Sequence, residues 1–476
     1  MSRATQKRTT PWRDNLEAIT FAVIMAVVLK YFIVEAYKIP TGSMQPTLMG
    51  NEETGVFDRI LVDKLSYQFR DPERFEVAVF KYPLDLSKNF VKRVVGIGPE
   101  EFRIAHGDLW HREDASEPWS IVRRPQPVVM EMLKPLDLGE LPEGESSRWV
   151  PGGGGSDGWA FAGRSIEADG PGRARFQHDR HGLGSIMDSY RDGYPPGMAD
   201  DIVWTRPAGM NEVGDLRVEG DVLASDDLTE LAFDLTEGGR TYRFIVPGPA
   251  RASHASPMIL VLGPSGNGQF HSELVVEDDA PFFSFALSAN ETTHIAAMNL
   301  DDRLTLEIDG EVVLELDVEP APGEPSRVEL QLHDGGAQIR DLQVYRDVYY
   351  TTDRATRTEF AIPDGHFFML GDNTQDSSDG REWRFLRMSW PETDGEIIRG
   401  GYRYQENPRT RPTIEGRITF FEDEFGERHE IAAGSERKHG YEDSPFVPRR
   451  LISGRALLVF WPWSPSRDLW RWRWIR

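Results

Sequence analysis

Residues 304–316 read LTLEIDGEVVLEL, with apolar side chains at every second position on both sides of Asp309-Gly310. That spacing is the period of a pleated strand with one face in a core. An Asp-Gly pair accepts the positive φ values of a two-residue turn, so the stretch predicts a tight antiparallel hairpin. Working outward, short alternating runs recur from DLRVEGDVLA at 215–224 to IRDLQVY at 339–345. Regularly spaced strands with turn signals between them predict a self-contained β-sandwich of the jelly-roll kind over residues 200–348.

The flanking sequence carries a second strand-rich pattern. DRILVDKLSYQF (58–69), FEVAVFKYP (75–83) and NFVKRVVGIG (89–98) alternate, and Asp71-Pro72 and Tyr82-Pro83 punctuate them as turns. These runs predict an antiparallel sheet over 36–104, resumed at 351–383 and closed by LISGRALLVFW within 444–462. Residues 105–199 are rich in Gly, Pro, Trp and Asp and read as an irregular insertion, and 384–443 as a second, polar one. The fold class expected is mainly β, with the sandwich inserted into a loop of the flanking β unit.

Composition removes several function classes. The 476 residues carry a formal net charge of -24, which argues against nucleic acid as a partner. With no cysteine there is no disulfide, thiolate metal site or cysteine nucleophile. No metal cluster or carboxylate pair stands out among so many acids, so no metal and no cofactor is expected.

Residues 1–14 hold Arg3, Lys7, Arg8 and Arg13, and residues 15–35 are mostly apolar. A basic flank ahead of roughly 20 apolar residues predicts a single transmembrane helix whose N-terminus stays cytoplasmic while the rest is exported. A cleaved signal peptide or a buried core helix would give a similar pattern. At the other end, residues 463–476 alternate Trp and Arg, the composition of a headgroup-level belt or of rings packed on a sheet.

IPTGSMQPTL (39–48) follows the apolar run and sets Ser43 in a stretch stiffened by Pro40 and Pro46. A serine hydroxyl attacks a carbonyl only when a neighbour takes its proton. His106 and His366 are the nearest histidines in the strand-rich parts, and neither lies in a motif that needs it. A desolvated lysine serves equally, because burial disfavours its charged form. Lys92, within NFVKRVV, is such a candidate, although a solvent-facing strand lysine would look the same.

Taken together and in order, IPTGSMQPTL, DRILVDKLSY, VAVFKYP, FVKRVVGI and GHFFMLGDNTQDSSDGREW resemble the bacterial type I signal peptidases, over residues 15–103, 351–383 and 444–462. The resemblance implies a membrane-anchored serine endopeptidase that removes signal peptides from exported preproteins. It implies Ser43 as nucleophile, Lys92 as general base and Ser377 as the hydroxyl that orients the lysine. Thr41 joins the Ser43 N–H in the oxyanion hole, and Ile39, Met44, Leu48, Phe90 and Val91 line the substrate pockets. Arg93, Asp372, Asp379 and Arg381 form the ionic frame. Implied partners are signal-peptide-bearing preproteins, the lipid bilayer and the export machinery; the implied location is the outer face of the bacterial cytoplasmic membrane. Thr374, Gly380 and GIGPEEF depart from the common family pattern. The sandwich also resembles, more weakly, concanavalin-like lectin modules. That likeness supports an alternative: an exported glycan- or protein-binding protein with a vestigial protease unit.

Overall fold

The computed structural model describes the chain apart from residues 1–10, 52–54, 137–146, 154–157, 179–184, 190–208, 252–254, 265–269, 275–283, 322, 324, 354, 356, 402–409, 414–415 and 465–468. An eight-stranded antiparallel sheet carries the family motifs. Its strands run in the order Val34–Lys38, Arg59–Asp63, Ile452–Trp461, Val77–Tyr82, Asp85–Ile97, His366–Leu370 and Phe446–Pro448, with Arg473–Trp474 paired to Ile452–Trp461. A smaller sheet of Glu359–Ile362, Glu100–Ala105, Asp108–Arg112 and Ser120–Ile121 packs beside it. Alternation divides the core accordingly. Ile39, Met44, Leu48, Ile60, Val62 and Val79 fill one side of the large sheet, while Phe80, Val94, Phe367 and Trp383 fill the other.

The 304–316 stretch forms its hairpin. Ile308 pairs with Glu311, and Asp309 and Gly310 take φ values of 50° and 82° in a two-residue turn. Around it stand two sheets with one shared core. One includes Leu216–Ala224, Thr293–Leu300, Arg303–Ile308, Glu311–Asp317 and Ala337–Arg346; the other includes Leu228–Glu237, Arg240–Pro247, Met258–Pro264 and Arg327–Asp334.

The sandwich does not begin at residue 200. Trp159–Ala162 and Ser165–Ala168 extend the first sheet, and Trp149–Pro151 and Gly172–Phe176 extend the second. These strands span three to five residues and are separated by glycines such as Gly158 and Gly163, at φ 90° and 56°, so they are too short to display a period. Residues 384–443, read as a polar insertion, form a further sheet from Arg384–Ser389 to Arg437–Asp443 with its own core of Leu386, Met388, Trp390, Phe421 and Ile431.

The expected transmembrane helix is overturned: among the described residues no helix is long and apolar enough to cross a membrane. The N-terminal helix, Pro11–Val28, has 18 residues, and Arg13, Asp14 and Glu17 occupy its first two turns. The apolar remainder, 18–28, rises only about 16 Å against the roughly 30 Å of a hydrocarbon core. Leu29–Ile33 is then a single π-helical turn, and from Val34 the chain is already a strand paired to Asp63. The apolar run therefore divides between helix and sheet.

Candidate active site

Ser43 lies in the tight turn that follows Ile39 and Pro40, held by Gln45 N–H donating to the Gly42 carbonyl at 3.1 Å and Leu48 N–H to the Met44 carbonyl at 2.7 Å. Met44 and Leu48 are fully buried and anchor the turn in the core. Lys92 sits mid-strand in Asp85–Ile97, and its Nζ lies 2.5 Å from Ser43 Oγ. Its side chain is buried, and among the described residues no carboxylate stands within ion-pair distance of it. Burial is the main influence on the amine and brings its pKa down to about 8, against the opposing fields of Asp379 and Asp372. A neutral lysine is therefore accessible near physiological pH, touching a serine hydroxyl.

The loop after His366–Leu370 closes the site from above. Asp372 takes both guanidinium arms of buried Arg93, at 2.9 and 2.8 Å, and accepts the Thr47 hydroxyl at 2.5 Å, which ties the strand of Lys92 to the turn of Ser43. Asn373 grips the same turn twice, its N–H on the Ser43 carbonyl at 3.2 Å and its Nδ2 on the Gly42 carbonyl at 3.0 Å. Asp379 and Arg381 form a second buried pair at 2.8 and 2.7 Å. Burial works against the Asp379 carboxylate, but Arg381 outweighs it and holds the pKa below the ordinary value. All four residues of the expected ionic frame thus meet as two pairs.

Ser377 is also buried at the site, since a Cβ on Gly371 would collide with both Ser377 Oγ and the Ser43 carbonyl. Its hydroxyl, however, has no hydrogen-bond partner among the described residues and so makes no hydrogen bond to Lys92. Thr41 is exposed on the approach to the turn. Ile39, Met44, Leu48 and Val91 belong to the core beneath the turn. Phe90 lies on the opposite sheet face, stacked on Tyr82 at 4.1 Å and 5.6 Å from Lys92 Nζ. The structure therefore splits the expected pocket residues between two faces. His366 turns its Nδ1 to the Asp364 carbonyl at 2.9 Å, and His106 occupies an exposed turn.

Two departures from the family pattern acquire local reasons. Thr374 donates its hydroxyl to the Tyr349 carbonyl at 2.6 Å, on the segment returning from the sandwich. At Gly380 any Cβ would press on the Pro445 carbonyl and the Phe368 ring. Sequence reasoning missed Thr47 and Asn373, and also the tail. Arg471 makes a two-armed pair with buried Asp58 at 2.8 and 2.8 Å, Asp58 accepts the Met49 N–H at 2.8 Å, and Arg473 donates to the Thr47 carbonyl. The tail's arginines thus clamp the serine turn while Trp472 and Trp474, alternating with them, face outward.

Residues 12–131 and 301–391 match the family model for signal peptidase, peptidase S26. These parts of the chain are similar to the signal peptidases. The second matched block starts inside the sandwich, at strands that do not enter the eight-stranded sheet. Signal peptidase I of Pseudomonas fluorescens is 42% identical over 87 residues, or 16% of this chain and 28% of that protein. Signal peptidase I of Leptolyngbya laminosa is 33% identical over 109 residues, or 21% of this chain and 50% of that protein. The chain thus spans half or less of the length of these two relatives. A solved structure of β-agarase A in complex with oligoagarose aligns over 43% of this chain and 85% of its own, at 12% identity and a TM-score of 0.30.

Proposed function

We propose that the chain is a serine endopeptidase that removes N-terminal signal peptides from exported preproteins, with Ser43 as nucleophile and Lys92 as general base. The observation that carries the reading is the 2.5 Å approach of a buried lysine, its pKa lowered to about 8, to the serine hydroxyl. In this scheme neutral Lys92 takes the Ser43 proton as Oγ attacks the scissile carbonyl. The Ser43 N–H and the Thr41 hydroxyl stabilise the oxyanion. The lysine ammonium then gives its proton to the leaving amine, and a water activated by Lys92 hydrolyses the acyl-enzyme.

The substrate reaches the site as an added strand. The neighbouring strand His366–Leu370 stops pairing at Leu370 and Arg93, so among the described residues no strand pairs with residues 89–92 on that side. An extended cleavage region can hydrogen-bond there. In this reading the active site works on the outer face of the cytoplasmic membrane, where preproteins emerge. Exposed Trp461, Trp472, Trp474 and Phe69 supply the contact with lipid headgroups. The test is cleavage of a precursor bearing an A-x-A site, with the new N-terminus sequenced for the wild type and for Ser43→Ala. Correct processing by the wild type alone supports the reading, and cleavage that survives Ser43→Ala overturns it.

A further inference from the structure

The loop of residues 371–381 is held from two directions. On the dyad side Asn373 bonds the Ser43 and Gly42 carbonyls, and Asp372 bonds Arg93, the neighbour of Lys92. On the other side the loop reaches toward the sandwich. Thr374 donates its hydroxyl to the Tyr349 carbonyl at 2.6 Å, Gln375 donates its Nε2 to the Asp188 carbonyl, and the Arg381 guanidinium donates to the Thr351 carbonyl at 2.7 Å. Lys134 Nζ lies 3.5 Å from the Asp372 carbonyl.

All four partners stand at the base of the sandwich. Asp188 follows Ile186, which is fully buried in the sandwich core, and its carboxylate accepts the N–H groups of Met210 and Asn211 at 2.8 and 3.0 Å and the Asn211 Nδ2 at 2.9 Å. Arg346 ties the next residue down by donating to the Ser189 carbonyl at 2.8 Å. Tyr349 and Thr351 leave the strand Ala337–Arg346, and Lys134 pairs with Arg346 on that same strand. The base is thus rigid, but the seam between it and the loop is not filled. A cleft of about 130 Å³ remains there, lined by Asp188, Asn211, Thr351, Thr374, Gln375 and Arg381. Hydrogen bonds, more than interlocked side chains, therefore set the distance across the seam.

We infer that Thr374 and Gln375 are positioning residues through which the sandwich sets the geometry of the catalytic dyad, an assignment that rests on reading the chain as a Ser43–Lys92 peptidase. Neither side chain touches Ser43 or Lys92; each acts through the loop. Asn373 directly precedes Thr374 and grips the serine turn, and Arg381 joins the Thr374 carbonyl at 3.1 Å to the Asp379 carboxylate, whose field acts on Lys92. Releasing the outward bonds lets the loop drift into the cleft and carries Asn373 and Asp379 with it. Proton transfer between Ser43 and Lys92 needs their contact kept, and a misplacement of about 1 Å costs up to about a hundredfold in rate. The sandwich is therefore part of the machinery that holds the site in register.

The test uses the full chain with Thr374→Val and Gln375→Met, which keep side-chain size and remove only the donor. Each should lower kcat on a soluble A-x-A peptide about tenfold while KM stays within about twofold, because the lost contact acts on the chemical step and not on substrate binding. Amide hydrogen exchange read by mass spectrometry should speed up about tenfold in residues 371–381 and stay slow in the strand Asp85–Ile97, at an almost unchanged melting temperature. Thr374→Ser, which keeps the hydroxyl, should restore both rate and protection. Exchange is read without substrate, so a wild type that cleaves nothing overturns the peptidase reading, whereas unchanged exchange of 371–381 in both variants overturns the inference alone. A loss of rate that Thr374→Ser does not repair, or that follows the melting temperature, overturns it as well.

Discussion

Replacing Lys92 by methionine should abolish cleavage and, below pH 8, make the folded chain more stable. The lysine is buried without an ion-pair partner among the described residues, and its pKa falls from 10.5 to about 8 on folding. At about 1.4 kcal/mol per unit, holding the charged form in the native site costs on the order of 3 kcal/mol. Losing the contact with Ser43 gives back about 1 kcal/mol, so a net gain of about 2 kcal/mol is expected for Lys92→Met near pH 6.5. The sign follows from proton binding. Below pH 8 both states hold the proton and the native state bears the full cost. Between pH 8 and 10.5 the unfolded chain keeps its proton while the native lysine sheds it, so wild-type stability rises with pH and the gap closes. Activity follows the same titration: at pH 7 about one lysine in ten is neutral, against about three in ten thousand for an unperturbed one. Urea unfolding of both proteins at pH 6.5, 7.5, 8.5 and 9.5, beside a kcat/KM profile, measures this. A methionine variant less stable than wild type at pH 6.5, or a gap independent of pH, would refute the reasoning.

Ser43→Ala and Lys92→Ala should each abolish peptide cleavage, with the double variant hardly worse, since groups acting as one unit are non-additive; single-turnover assays distinguish this from additive losses. Asp372→Asn strands the buried Arg93 guanidinium and should cost about 3–5 kcal/mol by urea unfolding. Arg471→Ala, which leaves Asp58 buried and unpaired, should lower stability and kcat together, and a drop in KM alone would contradict its place under the serine turn. Replacing 200–348 by a short linker should give unfolded protein, because Ser165–Ala168 and Gly172–Phe176 would lose the strands Ala337–Arg346 and Arg327–Asp334 they pair with; a cooperative melt of the excised chain would show otherwise.

What the sequence disclosed is what local periodicity and short motifs encode. The Asp309-Gly310 hairpin, the alternation of 89–98 and the ionic frame of Arg93, Asp372, Asp379 and Arg381 could all be read from residues close together or from one resemblance. The apolar run after residue 15 misled because hydropathy does not reveal that Val34–Lys38 pairs with Arg59–Asp63, a tertiary fact that takes the run's end for the sheet. The resemblance places Phe90 and Val91 together at the substrate pockets, although adjacent strand residues face opposite ways. The strands of 149–176 are too brief to show a period. The bonds from Thr374 to Tyr349 and from Gln375 to Asp188 are invisible until two units dock, since nothing local marks those partners.

The strand Ile452–Trp461 lies between Arg59–Asp63 and Val77–Tyr82, pairing with both. The early segments therefore cannot close a continuous sheet by themselves; a slot stays open until a strand almost 400 residues downstream is inserted. Closing so long a loop is slow, although its entropy grows only with the logarithm of its length, and the sandwich shortens it. Once folded, the sandwich holds Lys134–Pro135 against Ala337–Arg346, which brings the two halves of the protease together at its base. Ser43 and Lys92, only 49 positions apart in sequence, thus rest on a sheet that a strand from the far end of the chain completes.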